Sequence, residues 1–147
     1  MIASTITQKI AEALIKHDEV RLSTLRLLSS ALNYEKIAKQ HELSEEEELI
    51  VVRQEAKKRK ESIEAYNRFN AKDRAQRESQ ELGILEEFLP RELSNKEIEK
   101  LVGKAINKTD AQEISDMGKI IGMVVGEAKG RADGVKVAQI VKSKLGK

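Results

Sequence analysis

Five of the eight glycines fall four residues apart, at Gly118, Gly122, Gly126, Gly130 and Gly134, with Lys119, Lys129 and Arg131 among them. A glycine inside a helix costs roughly 0.5–1 kcal/mol relative to alanine, so three on one helical face need a compensating use. Two uses fit the spacing. A groove free of side chains lets a neighbouring helix approach closely, and a bare face flanked by cations can lie against a sugar–phosphate backbone, with charge doing the positioning. Gly130 and Gly134 have a plainer reading as the stop of one helix and the tight turn into the next. The pattern is not a phosphate loop, because no glycine stands five residues ahead of a Gly-Lys pair and no strand precedes it.

The run Lys57-Lys58-Arg59-Lys60 is the second basic feature. Its lysines read as a solvated helix face, with Glu55, Glu61 and Glu64 at pairing distance along the helix. Arg59 differs, because it falls on the apolar line Leu49, Val52, Ala56, Ile63, Tyr66 and there requires a carboxylate or backbone carbonyls. Catalytic groupings are missing. His17 and His41, the two histidines, occupy helix ends without a metal-binding frame, and the absence of cysteine excludes thiol nucleophiles, iron–sulfur clusters and cysteine-held zinc. Carboxylates abound, yet none lies in an apolar segment that would raise its pKa for acid–base work. Asp116 and Asp133 read as helix caps. No catalytic residue, metal or cofactor is expected.

These residues must be carried by helices. Charged residues make up 35% of the 147-residue chain against 3% aromatics, with one proline, a composition that suits an all-α fold. Net charge is +2 overall, but residues 1–90 carry −2, residues 91–147 carry +4, and residues 117–147 alone carry +5. No apolar run reaches the length of a membrane span and the first residues lack the pattern of a signal peptide, so a cytoplasmic location and no membrane partner are expected.

Helical spacing predicts four helices before Pro90. The first runs behind a Ser4 or Thr5 cap to about His17. The second carries Leu22, Leu25, Leu28 and Leu32 to about Lys39, with Leu27 and Ile37 widening its apolar face. Ser44 with Glu47 forms a capping box that starts the third, with the acids 45–48 in its first turn. The fourth carries Ala75, Leu82, Leu85 and Leu89 after a break near residues 70–73. Beyond Pro90, Ser94 and Glu97 form a second capping box, and Leu93 is placed to pack on Ile98 as a hydrophobic staple. Helices are expected from Asn95 to about Asn107, from Met117 to about Lys129 and from Gly134 to about Leu145. The organisation expected is an N-terminal four-helix domain, 1–90, followed by a small three-helix domain, 94–147.

Several strings resemble the GatB/YqeY family: Leu25-Arg26-Leu27-Leu28 with Ala31-Leu32-Asn33, Lys57-Lys58-Arg59-Lys60-Glu61-Ser62, Leu85-Glu86-Glu87-Phe88-Leu89-Pro90, Asp116-Met117-Gly118-Lys119 and Lys129-Gly130-Arg131-Ala132-Asp133-Gly134. Together they resemble the stand-alone YqeY-like proteins over nearly the whole chain, departing at Val125-Gly126-Glu127, where the family pattern has a proline-containing helix end. In that family the same module forms the C-terminal region of the B subunit of the tRNA-dependent amidotransferase, which uses glutamine to amidate misacylated tRNA. The resemblance implies a helical linker and a small helical tail that contacts tRNA away from its acceptor end. It implies no catalysis, because the kinase and transamidation cradle has no counterpart here; a carbon–nitrogen ligase activity with glutamine as amido-N-donor would be inherited from the fused relatives.

The expectation is a non-catalytic accessory protein that binds tRNA. Its phosphate contacts would come from Lys119, Lys129, Arg131, Lys136, Lys142 and Lys144, with Gly118 and Gly122 allowing close approach. The alternatives are a module that docks an aminoacyl-tRNA enzyme or an amidotransferase-related protein, and an amidotransferase acting alone.

Overall fold

Several helix starts in this chain are written locally. Ser44 Oγ accepts the Glu47 N–H at 3.2 Å while the Glu47 carboxylate accepts the Ser44 N–H at 2.8 Å, and Ser94 and Glu97 repeat the exchange at 3.2 and 2.7 Å. Each box satisfies two of the amide groups that a helix N-terminus leaves without partners. The Ser44 amide, then Lys39, hold the Glu47 carboxyl down at about 2. The structure, a computed structural model, describes residues 1–146. Its helices are α1 (Ile2–Ile15), α2 (Glu19–Lys39), α3 (Glu45–Arg68), α4 (Lys72–Glu86), α5 (Asn95–Thr109), α6 (Met117–Ala128) and α7 (Gly134–Leu145), with one 3-10 turn at Ile114–Asp116. The fold is all-α, with no strand among the described residues. No helix among them is long and apolar enough to cross a membrane. Packing divides the chain into two units, Met1–Leu89 and Pro90–Lys147.

In the first unit α2 packs against α1, α3 and α4. The core joins Ile6 and Ala13 of α1, Leu25, Leu28 and Leu32 of α2, Val51 and Val52 of α3, and Leu85 of α4. Leu27 and Ile37 do not widen the buried face of α2; they are 49% and 67% exposed. The start of α1 also departs from the sequence reading. Ser4 and Thr5 lie inside its first turn, their hydroxyls bonded back to the Met1 and Ile2 carbonyls. The acceptor for an N-terminal amide comes from α3 instead, where Glu48 Oε2 takes the Ala3 N–H at 2.9 Å.

Three carboxylates surround Arg59 on α3. Its Nε lies 3.7 Å from Glu78 and 3.6 Å from Glu81, both on α4, and Nη1 lies 3.6 Å from Glu55 one turn back. The arginine therefore finds the carboxylate partners its place on the apolar line demands. Their burial corrects the reading that no carboxyl sits in an apolar setting. Glu48, Glu55 and Glu81 are buried, and burial followed by the neighbouring Glu81 charge pushes the Glu78 carboxyl up. Of the expected lysine pairs, Lys58 meets Glu55 at 3.0 Å, while Glu64 pairs with Arg68.

In the second unit, Ile98, Val102 and Ala105 of α5 pack with Ile120 and Val124 of α6 and Val137, Val141 and Leu145 of α7. Leu93 packs against this cluster, and its N–H donates to the Arg131 carbonyl at 2.7 Å. Asp133 caps α7 through the Val135 N–H. Asp116 makes no side-chain cap for α6. Its Oδ2 instead accepts the Gln112 and Glu113 amides, both at 3.3 Å, and so closes the 3-10 turn before that helix.

Candidate nucleic-acid interface

Helix α6 sets out the glycines. At 3.6 residues per turn, Ile120, Val124 and Ala128 form one line, which is buried. Gly118, Gly122 and Gly126 form a second line, exposed and roughly opposite the first. A Cβ built on any of these three glycines meets nothing within 4 Å. No helix of the unit uses the groove, so close packing inside the unit does not explain the glycines. The helix passes unbroken through Val125-Gly126-Glu127, the place where the sequence departs from the family pattern.

Lys119 is exposed beside this face. Lys129 ends the helix, and it is this lysine that first turns left-handed, at φ 49°, with Gly130 following at φ 77°. Two left-handed residues in succession swing the chain away from the helix axis, a conformation glycine adopts freely and lysine does not. Gly134 is not a turn residue. It opens α7 with ordinary helical geometry.

Arg131 has a structural task. Its Nε donates to the Arg91 carbonyl at 2.9 Å, and its own carbonyl accepts the Leu93 N–H. Together these bonds fasten the segment ahead of α5 to the turn between α6 and α7. Lys136 is half-buried, while Lys142 and Lys144 are exposed in the last turn of α7. Two positions apart on a helix means about 200° around it, so Lys142 and Lys144 face different flanks. The structure thus places Gly118 and Gly122 on one face, with Lys119 beside it and Lys129 at its end. It gives Arg131 a backbone partner and spreads the α7 lysines around their helix.

A second basic row escapes the sequence reading. Lys96, Lys100, Lys104 and Lys108 recur every four residues along α5, all exposed, on the side away from buried Ile98, Val102 and Ala105. The row spans about 18 Å at 1.5 Å per residue. The spacing was there to be read, but charge counting hid it: Glu92, Glu97, Glu99 and their neighbours bring residues 91–116 to a net −1. The structure separates the two signs. Glu97 is consumed by the capping box, whose Ser94 amide holds its carboxyl below the usual carboxylate range, and by Arg91 at 3.1 Å. Among the described residues none of Lys96, Lys100, Lys104, Lys108, Lys119, Lys136, Lys142 or Lys144 forms an ion pair. No group of three or more histidine, aspartate or glutamate side chains among them could hold a metal ion.

Fold and surface define an all-helical protein whose second unit offers exposed lysines and a bare helix face. Residues 3–145 match the family model described as Yqey-like protein, and the chain belongs to that family. A comparison with curated proteins finds no match.

Proposed function

We propose that the second unit binds RNA, with tRNA the expected ligand, through the sugar–phosphate backbone and without catalysis. One observation carries this reading: the exposed glycine line of α6 has no neighbour in its own unit, although each interior glycine weakens the helix. A feature that costs the folded chain stability and serves no internal contact is explained by an external one. The surrounding lysines give that contact its sign. Lys119 and Lys129 border the bare face, the α5 row supplies a longer line of charge, and Lys136, Lys142 and Lys144 add positive potential at α7. Phosphate contacts of this kind fix position and contribute affinity without reading sequence. Arg131 holds the turn between α6 and α7 in addition to any phosphate contact, so its replacement tests two things at once.

The test is tRNA binding by fluorescence anisotropy across a salt series. Affinity is expected to fall steeply with salt, and Lys119→Ala with Lys129→Ala to flatten the log–log slope by about 0.7–0.9 for each phosphate that is no longer neutralised. Binding that ignores salt, or no binding at low salt, overturns the proposal. The bare face also suits a helix of a protein partner, and Gly122→Leu separates the two: it abolishes a helix dock but only partly weakens a contact made mainly by charge. A transamidation assay on glutamyl-tRNA with the purified protein is expected to show no turnover.

A further inference from the structure

The turn between α3 and α4, in the first unit, holds an aromatic ring out in solvent. Phe69, the residue that closes α3, is 83% exposed, more than any other large apolar side chain among the described residues. The backbone beneath it is fully tied. The Phe69 N–H donates to the Ala65 carbonyl and the Asn70 N–H to the Asn67 carbonyl, both at 3.3 Å, while the Ala71 N–H reaches back to the Tyr66 carbonyl at 2.8 Å. Asn70 is left-handed, at φ 59°. These bonds make a helix stop whose usual apolar contact falls between the positions of Tyr66 and Ala71, so the turn itself has no need of an aromatic ring at Phe69.

Aromatic side chains are scarce in this chain, two Phe and two Tyr in all, and half of them stand at this tip. Tyr66 lies one turn before Phe69, with the Arg74 guanidinium over its ring at 6.0 Å from the centroid. The charged side chains within about one and a half turns of the loop are Glu64, Arg68, Lys72, Asp73, Arg74 and Arg77, a net charge of +2. Glu64 and Arg68 pair with each other at 3.8 Å. Lys72, Arg74 and Arg77 are exposed and form no ion pair among the described residues. Arg74 and Arg77, three positions apart, share one flank of α4.

An apolar protein contact draws on a patch of hydrophobic side chains that exclude water around the anchor. Phe69 has no such surround in sequence, because Asn67, Arg68, Asn70 and Lys72 beside it are polar and exposed. A lone ring among cations matches a nucleobase instead, which offers a π-face for stacking and carries a phosphate on either side.

We propose that the tip of the α3–α4 hairpin binds single-stranded RNA, with Phe69 stacking on an unpaired base and Lys72, Arg74 and Arg77 attracting the flanking phosphates. This contact belongs to the first unit and uses other residues than the phosphate contact of the second, so each holds or fails without the other.

The chain has no tryptophan, so Phe69→Trp keeps an aromatic face at the tip and makes it the sole indole reporter. Titrating the full-length variant with a short oligoadenylate strand is expected to quench its fluorescence to saturation, and the quench to persist with Lys119→Ala and Lys129→Ala in the same chain. An RNA duplex of equal length, whose bases are already stacked, should leave the fluorescence nearly unchanged. By anisotropy of the labelled strand, Phe69→Ala and Phe69→Leu should each weaken binding about tenfold, the scale of one stacked base. Leucine keeps apolar bulk without a π-face, so its loss separates stacking from a hydrophobic dock, and the exposed position leaves the fold intact. No saturable quench at low salt, strand binding without a quench, or equal quenching by the duplex overturns the proposal. Undiminished binding by Phe69→Leu overturns it in favour of an apolar contact.

Discussion

Arg59 Nε lies 3.6 Å from the Glu81 carboxylate, joining α3 to α4 through two side chains that are only 12% and 9% exposed. Glu55 and Glu78 also lie at the guanidinium, so one arginine faces three carboxylates in a mostly dry setting, of which Glu55 has Lys58 as a second partner. Such a cluster adds little net stability compared with an apolar replacement of the whole, but removing its cation leaves buried charges uncompensated. Arg59→Met is therefore expected to destabilise the first unit by about 3–5 kcal/mol in urea unfolding.

The same cluster responds oppositely when an acid is removed. Glu78 has a carboxyl pushed up from 4.5 by burial and by Glu81, so the folded chain binds its proton at a higher pH than the unfolded chain does. Ionised Glu78 thus opposes folding near neutrality, and stability rises as pH falls through its folded pKa. Glu78→Gln should raise Tm at pH 7, with the gain vanishing below pH 4.5, where the wild-type carboxyl is protonated in both states. A lower Tm for Glu78→Gln at pH 7 would show that its attraction to Arg59 outweighs both effects.

Glu47 supplies the contrasting sign. Held at about 2 by the Ser44 amide and Lys39, it binds its proton later in the folded chain than in the unfolded one, whose value is 4.5. Its contribution is complete above 4.5 and is lost as pH falls from there towards 2. Glu47→Ala should lower Tm at pH 7, and the deficit should narrow across that window in a pH series of thermal melts.

Two glycines of the second unit should behave in opposite ways on becoming alanine. Gly122 is helical with open space where a Cβ would stand, so Gly122→Ala should stabilise by roughly 0.5–1 kcal/mol. Gly130 holds φ at 77°, so Gly130→Ala should destabilise by about 1 kcal/mol. Denaturant midpoints measure both. If the bare face meets an RNA backbone, Gly122→Ala also weakens tRNA binding while strengthening the fold, a separation that a purely structural glycine would not produce.

The α5 row offers an independent check on the electrostatic reading. Lys100→Glu with Lys104→Glu leaves the buried line of α5 unchanged, so helix content by circular dichroism should hold. Affinity for tRNA should fall at low salt and approach that of wild type at high salt, where screening shortens the reach of surface charge. Equal losses at every salt concentration would point to a packing defect instead.

Element boundaries were largely legible because they are set by neighbours in sequence. The boxes at Ser44/Glu47 and Ser94/Glu97, the Asp133 cap and the stop before Pro90 each depend on residues a few positions apart. Other stops were harder to read: His17, Gln40, Asn70, Asp110 and Lys129 all turn left-handed at or just beyond helix ends without glycine's help. The candidate interface was half legible. The glycine period and its lysines stood out, whereas the α5 row was masked by acids that the fold assigns to capping or places off the lysine line.

By itself the sequence determined an all-α chain, where most helices begin, and that Arg59 would need a carboxylate or backbone carbonyls, since periodicity and capping are local and a guanidinium on an apolar line must be compensated. Only the tertiary structure decided that Glu78 and Glu81 answer Arg59, that Glu48 caps a helix whose first amides have no acceptor nearby in sequence, and that Arg131 fastens the segment ahead of α5. It also decided that the glycine line faces outward. A helix carries its period wherever it goes, but which face meets a neighbour depends on how the helices pack against one another.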